Sequence, residues 1–265
     1  MTRRRFAARL AQLAFASWIA ARHAGAMAAA AAASPGPAQA LRVAALAERV
    51  LKLQAQAGQN LLALRARRSF AAALRELDAA IRALGNPPAA SELHERTAIL
   101  VLLVAQYRAR AQRRPTREAA LELGERAEEI EWEALRIAAL LPAPADSPRA
   151  LAAKAVDGGL RAERIGRLLL WQRWGIAAPS AGERLAAEKV ALQADLDALR
   201  AASGSSAQAH AELQVAENQA AFLFAAAWRL DGADAAQSLE FAVKASDNAR
   251  ESLERLAAIY GAMGP

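Results

Sequence analysis

Asp157-Gly158-Gly159-Leu160-Arg161-Ala162-Glu163-Arg164-Ile165-Gly166-Arg167-Leu168-Leu169-Leu170-Trp171 is the stretch on which the rest of the chain turns. It reads as a segment of a long amphipathic helix, yet it carries two adjacent glycines and three arginines. A glycine inside a helix costs about 0.5–1 kcal/mol relative to alanine. In a chain this rich in alanine, the pair therefore points to something that approaches the backbone closely, a partner helix or a ligand. Arg161, Arg164 and Arg167 follow one another at i, i+3 and i+6 and drift slowly around one side of the helix. One reading is a solvated basic stripe beside a tight helix contact. The other is a small-anion site, because a guanidinium offers a planar fork of donors to an oxyanion.

Composition extends the helical reading to the whole chain. Of 265 residues, 55% are hydrophobic and only 5% aromatic, with 14 glycines and 10 prolines. Alanine dominates, followed by other good helix formers, which predicts an all-α protein with a core of leucine and alanine. No cysteine is present, so disulfides, thiolate metal sites and covalent haem attachment are excluded. The net charge of +7 is misleading, because Arg3, Arg4, Arg5, Arg9 and Arg22 precede any acidic residue. Without them the chain holds 29 basic and 27 acidic residues, and a nucleic-acid partner loses its electrostatic basis.

Residues 1–40 are built like an export signal: a basic start, a mildly apolar run from Leu10 to Ala21, and Ala38-Gln39-Ala40 as a cleavage site. Ala26-Met27-Ala28 is a second such site. Thr2-Arg3-Arg4-Arg5-Phe6 resembles a twin-arginine signal. Arg22-His23 interrupts the apolar run, and no other run suffices to span a bilayer. The expectation is a periplasmic protein with no membrane span in the mature chain.

Helical periodicity then divides the remainder. Leu46, Val50, Leu53, Leu61 and Leu64 predict a helix over 41–67, and a second covers Phe70 to Leu84, stopped by Gly85-Asn86-Pro87-Pro88. Ser91 is placed to cap a third helix and Thr116 a fourth, which runs to Leu141. Pro142 to Pro148 reads as a linker. Beyond it the plan repeats, with helices at about 149–174, 183–202, 207–229 and 233–262. Residues 74–84 resemble 192–202, and 121–140 resemble 239–258. Such self-similarity predicts two tandem antiparallel four-helix bundles, at 41–141 and 148–263. A single continuous bundle is the alternative.

Catalytic motifs are missing. There is no P-loop, no nucleophile elbow and no paired Glu-x-x-His for a di-iron site. Nothing in the residues argues for an enzyme, a metal or a cofactor.

The repeated helices resemble the PilJ-type sensory domain of pilus chemotaxis transducers and its relative in NarX-type nitrate/nitrite sensor kinases. Gly158-Gly159-Leu160-Arg161 matches the glycine and first arginine of that family's first-helix box; alternatively Glu163 to Arg167 matches its later portion. Ala47 to Gln59 aligns in outline, with Leu51 and Gln56 where the box has arginines. Ala245-Ser246-Asp247-Asn248 and Leu256 to Tyr260 are similar to its closing helix. The resemblance implies a sensory or binding protein in which an oxyanion, nitrate or nitrite, sits between two neighbouring first helices. It assigns the site to Gly158, Gly159, Arg161 and Arg164, with Arg49, or else Lys52, as the nearest substitute in the first half. A protein partner or homo-oligomer is the other expectation, for a helical interaction module without a small ligand.

Overall fold

A computed structural model describes residues 36–263, apart from 142, 177–179, 203–205, 228–229 and 231–233. The arginines and apolar run of the expected export signal lie outside the described residues. Eight helices and no strand occur among the described residues. They are α1 (Pro37–Gly58), α2 (Ala63–Ala83), α3 (Glu92–Ala111), α4 (Arg117–Ala139), α5 (Pro148–Trp174), α6 (Ala181–Ala202), α7 (Ala207–Ala227) and α8 (Ala235–Ala262).

Local chemistry accounts for most of the boundaries. Ser91, Thr116 and Ser147 each accept a hydrogen bond from a backbone N–H in the first turn of α3, α4 and α5. Pro37 and Pro148 open α1 and α5, where the missing N–H is no loss. α5 ends in a left-handed Gly175 with φ of 73°.

One boundary departs from the periodicity. The helix expected over 41–67 stops at Gly58, and α2 begins at Ala63. Between them Asn60 and Leu62 take positive φ, 57° and 50°. The break is imposed by α5. The Trp174 ring occupies the space beside Gly58 where a β-carbon would stand, and the Gln59 side chain donates to the Leu170 carbonyl at 3.0 Å.

α1 and α5 form the centre. Sixteen of the 22 residues of α1 and eighteen of the 27 of α5 are buried, against five of 21 in α2 and four of 22 in α6. The two lie parallel and in register. Gly36 is beside Arg149 at one end, Lys52 meets Glu163 in the middle, and Gln59 reaches Leu170 at the other. α4 and α8 run antiparallel beside them, while α2, α3, α6 and α7 lie outside.

The internal repeat is present in three dimensions. Arg65 of α2 reaches Asp247 of α8 at 3.1 Å, and Arg184 of α6 reaches Glu128 of α4 at 2.5 Å. Both partners of the second pair are 119 positions from their counterparts in the first. The buried positions Leu123 and Ala242, Ile130 and Ala249, and Ile137 and Leu256 keep the same spacing. The register is thus one residue longer than the match of 121–140 to 239–258, because burial rather than residue likeness sets it. Each half contributes four helices, but Pro142 to Pro148 does not divide the protein into separate cores. Gly36–Pro265 is one compact unit, and a large apolar cluster and a smaller one each draw residues from both halves.

Candidate functional site: the seam between the first helices

The middle of the α1–α5 seam is ionic. Lys52, wholly buried, donates to Ser246 Oγ and Asp247 Oδ1, each at 2.7 Å, and faces Glu163 Oε2 at 2.5 Å. Lys52 and Glu163 occupy equivalent places, each fifteen residues beyond the proline that opens its helix. Glu163 also meets Arg250 Nε at 2.9 Å, and Arg250 continues to Glu254 at 2.5 Å. On the other side of α5, Arg167 donates to Glu48 and lies 4.3 Å from the centre of the Trp171 ring.

The arginines expected to hold an anion are already engaged. Arg161 directs Nε to Asp195 at 2.8 Å, Nη1 to Glu188 at 3.3 Å and Nη2 to Asp157 at 2.9 Å. Arg164 directs Nη1 to Glu188 at 2.7 Å and Nη2 to Glu131, with Glu48 3.6 Å from its Nε. Glu188 bridges the two. Arg49 pairs with Glu76 of α2 at 2.8 Å and stays away from the seam, which receives Lys52 instead. The solvated-stripe reading does not hold for Arg164 and Arg167, which are 8% and 2% exposed.

Gly158 and Gly159 face α8 rather than the neighbouring first helix. A β-carbon on Gly159 would lie 3.6 Å from Arg250 Cγ, an ordinary contact, and one on Gly158 would lie 3.4 Å from Leu253. The close approach is at Gly166, where a β-carbon would fall 2.6 Å from Ser246 Oγ and 3.1 Å from Lys52 Cδ. Gly166 sits in the quoted stretch, but nothing local separates it from its neighbours. Glu48, Asp247 and Arg250 were equally hidden, since charged residues on an amphipathic pattern read as solvent-facing until their partners are known.

Burial and pairing compete at each carboxylate. Burial raises the Glu48 carboxyl, but Arg167 and Arg164 outweigh it and hold its pKa below the usual value. Asp247 behaves likewise: burial raises it, and Lys52 and Arg65 bring it below. For Glu163 burial prevails over Lys52 and Arg250, so its carboxyl is pushed up. The pKa of Arg164 is raised: burial alone would lower it, but Glu48, Glu131 and Glu188 more than offset that.

The arrangement is a chain of charges that satisfy one another, with both signs closely interleaved. An incoming oxyanion would have to displace a carboxylate and leave it in a low-dielectric interior, where an unpaired charge is costly. No protein-family model, no curated protein and no solved structure matches the chain.

Proposed function

We propose that the chain is a helical interaction module that acts through its outer faces and takes no small-molecule ligand at the seam. The observation that carries this reading is the carboxylate set around Arg161 and Arg164: every guanidinium nitrogen of both faces a carboxylate of the same chain. Further support comes from where apolar side chains meet solvent. Ile99, Leu102, Leu121, Trp132 and Leu135 are all exposed on α3 and α4, and Ile99 and Trp132 line a groove of about 410 Å³ there together with Leu103, Glu125, Glu128, Glu129 and Glu133. Exposed apolar residues on two adjacent helices suit contact with another protein.

The oxyanion reading has one observation in its favour. α1 and α5 lie side by side and parallel, as the resemblance implies for two first helices. A thermal-shift screen with nitrate, nitrite, sulfate and phosphate separates the two, because a ligand of the folded state raises the midpoint by mass action. No shift at millimolar anion is expected. A shift with one anion that Arg161→Ala abolishes would establish the oxyanion site instead.

Export by the twin-arginine route, and with it a periplasmic location, belongs to the same reading and rests on Thr2 to Phe6. Among the described residues no helix is long and apolar enough to cross a membrane. α1 begins at Pro37, and Ala40 is fully buried within it. Cleavage after Ala40 would remove the first turn of the central helix; cleavage after Ala28 leaves it whole. Amino-terminal sequencing of exported protein should therefore give a chain beginning at Ala29, and a chain beginning at Leu41 would refute this placement.

A further inference from the structure

At one end of the bundle arginines gather among the first five helices, while Glu183 and Asp234 mark the starts of α6 and α8. The C-terminal ends of α1, α3 and α5 and the N-terminal ends of α2 and α4 meet there. Gln54 of α1 donates to the Ala111 carbonyl at the end of α3, Trp174 of α5 covers Gly58, and Gly175 adjoins the Arg117 guanidinium. This end presents Arg67 and Arg68 from the first turns of α2, Arg113 and Arg114 from the α3–α4 turn, Arg117 from α4 and Arg173 from α5. All six are exposed. Arg113 has Glu122 at 3.6 Å, a carboxylate already held by Arg110 at 2.7 Å. Among the described residues no carboxylate lies within ion-pair distance of the other five. Glu118 is the one further acid on these first turns. Beside Arg67 and Arg68, Leu64 projects with 74% of its surface exposed.

We infer that this end docks on an anionic phospholipid surface. An exposed leucine flanked by Arg67 and Arg68, with further arginines at the same end, suits a headgroup layer, which takes the charges at its surface and the apolar tip between headgroups. A single-stranded nucleic acid would call for exposed aromatic rings on which bases stack; Trp174, which lies beside these arginines, is instead laid over Gly58. The inference is independent of the protein-contact reading, which concerns the outer faces of α3 and α4.

The test is co-sedimentation of the full chain with vesicles of phosphatidylcholine, with and without phosphatidylglycerol. Arg3, Arg4 and Arg5 are present in that chain, so the variants rather than wild-type binding decide the matter. Binding to the phosphatidylglycerol vesicles, released by raised salt, is expected. The double variant Arg67→Glu/Arg68→Glu should weaken it by at least roughly 25-fold, at roughly fivefold for each arginine lost, the two added carboxylates weakening it further. Leu64→Ser should weaken it less. Arg82→Glu, at the opposite end of α2, should leave it unchanged. All these positions are exposed, and an unaltered circular dichroism spectrum would verify the fold. Failure of the wild type to sediment, equal binding to pure phosphatidylcholine, or wild-type binding by the double variant would overturn the inference. So would equal loss in Arg82→Glu, or tighter binding of duplex DNA through Arg67 and Arg68.

Discussion

At the scale of single residues, the three glycines of α5 separate conformational cost from steric need. Gly159 has room for a methyl group, with its nearest neighbour at 3.6 Å, so alanine there gains helix propensity at little packing cost. Gly159→Ala should stabilise by about 0.5–1 kcal/mol. Gly166 has none: its β-carbon would press on Ser246 and on Lys52, both buried in a hydrogen-bonded group. Gly166→Ala should destabilise by about 1–3 kcal/mol, the usual effect of overpacking. Thermal midpoints of the two variants should therefore move in opposite directions. Equal shifts of the same sign would mean that the close approach is not at Gly166.

At the scale of helices, the α1–α5 seam contains groups that respond to pH with opposite sign. Glu48 has a folded pKa below its unfolded value, so the stability it contributes is complete above the unfolded pKa of about 4.3 and is lost as pH falls through the folded one. Glu163 has a raised folded pKa; its contribution is complete below about 4.3 and is lost as pH rises through the folded value. Glu163→Gln is fixed in the neutral form, and its midpoint should gain on wild type as pH rises above that range. Glu48→Gln should instead fall further behind wild type as pH rises toward about 4.3 and keep a constant deficit above it. Midpoints recorded from about pH 3 to 8 decide this; parallel curves for both variants would remove the ionic account of the seam.

The same helices mark what the sequence could and could not reveal. Ser91 and Thr116 announced α3 and α4 because a cap is a local bond between residues three apart. The stop at Gly58 was invisible, because Leu61 and Leu64 continue the apolar spacing and the side chain that ends α1 comes from Trp174. The site divides in the same way. Arg161 and Arg164 were evident on α5, but Glu188 and Asp195 belong to α6 and Glu131 to α4, so the neutralisation of those arginines is a long-range fact. Lys52 was legible only as a substitute for an arginine, and its burial depends on α8.

At the scale of the molecule, the halves are joined through their most buried regions. The expectation of tandem bundles at 41–141 and 148–263 meets a seam in which Lys52, Glu163, Arg164 and Arg167 are all buried. Separation would expose the apolar faces of α1 and α5 and strip these charges of their partners. The crossed pairs Arg65–Asp247 and Arg184–Glu128 would also be lost, although a pair as exposed as the second contributes little. Removing one member of a buried pair typically costs about 3–5 kcal/mol, a large share of the roughly 5–15 kcal/mol by which a domain is stable. The chain should therefore unfold in one transition, with calorimetric and van't Hoff enthalpies equal. A protease site placed within 143–147 offers the sharper measurement. After cleavage the two fragments should remain associated and melt together, and each purified fragment should lose most of its helix while their mixture regains it. Two resolved transitions, or fragments that are fully helical when apart, would show that each bundle is stabilised by its own core and that the ionic seam is only a contact between finished domains.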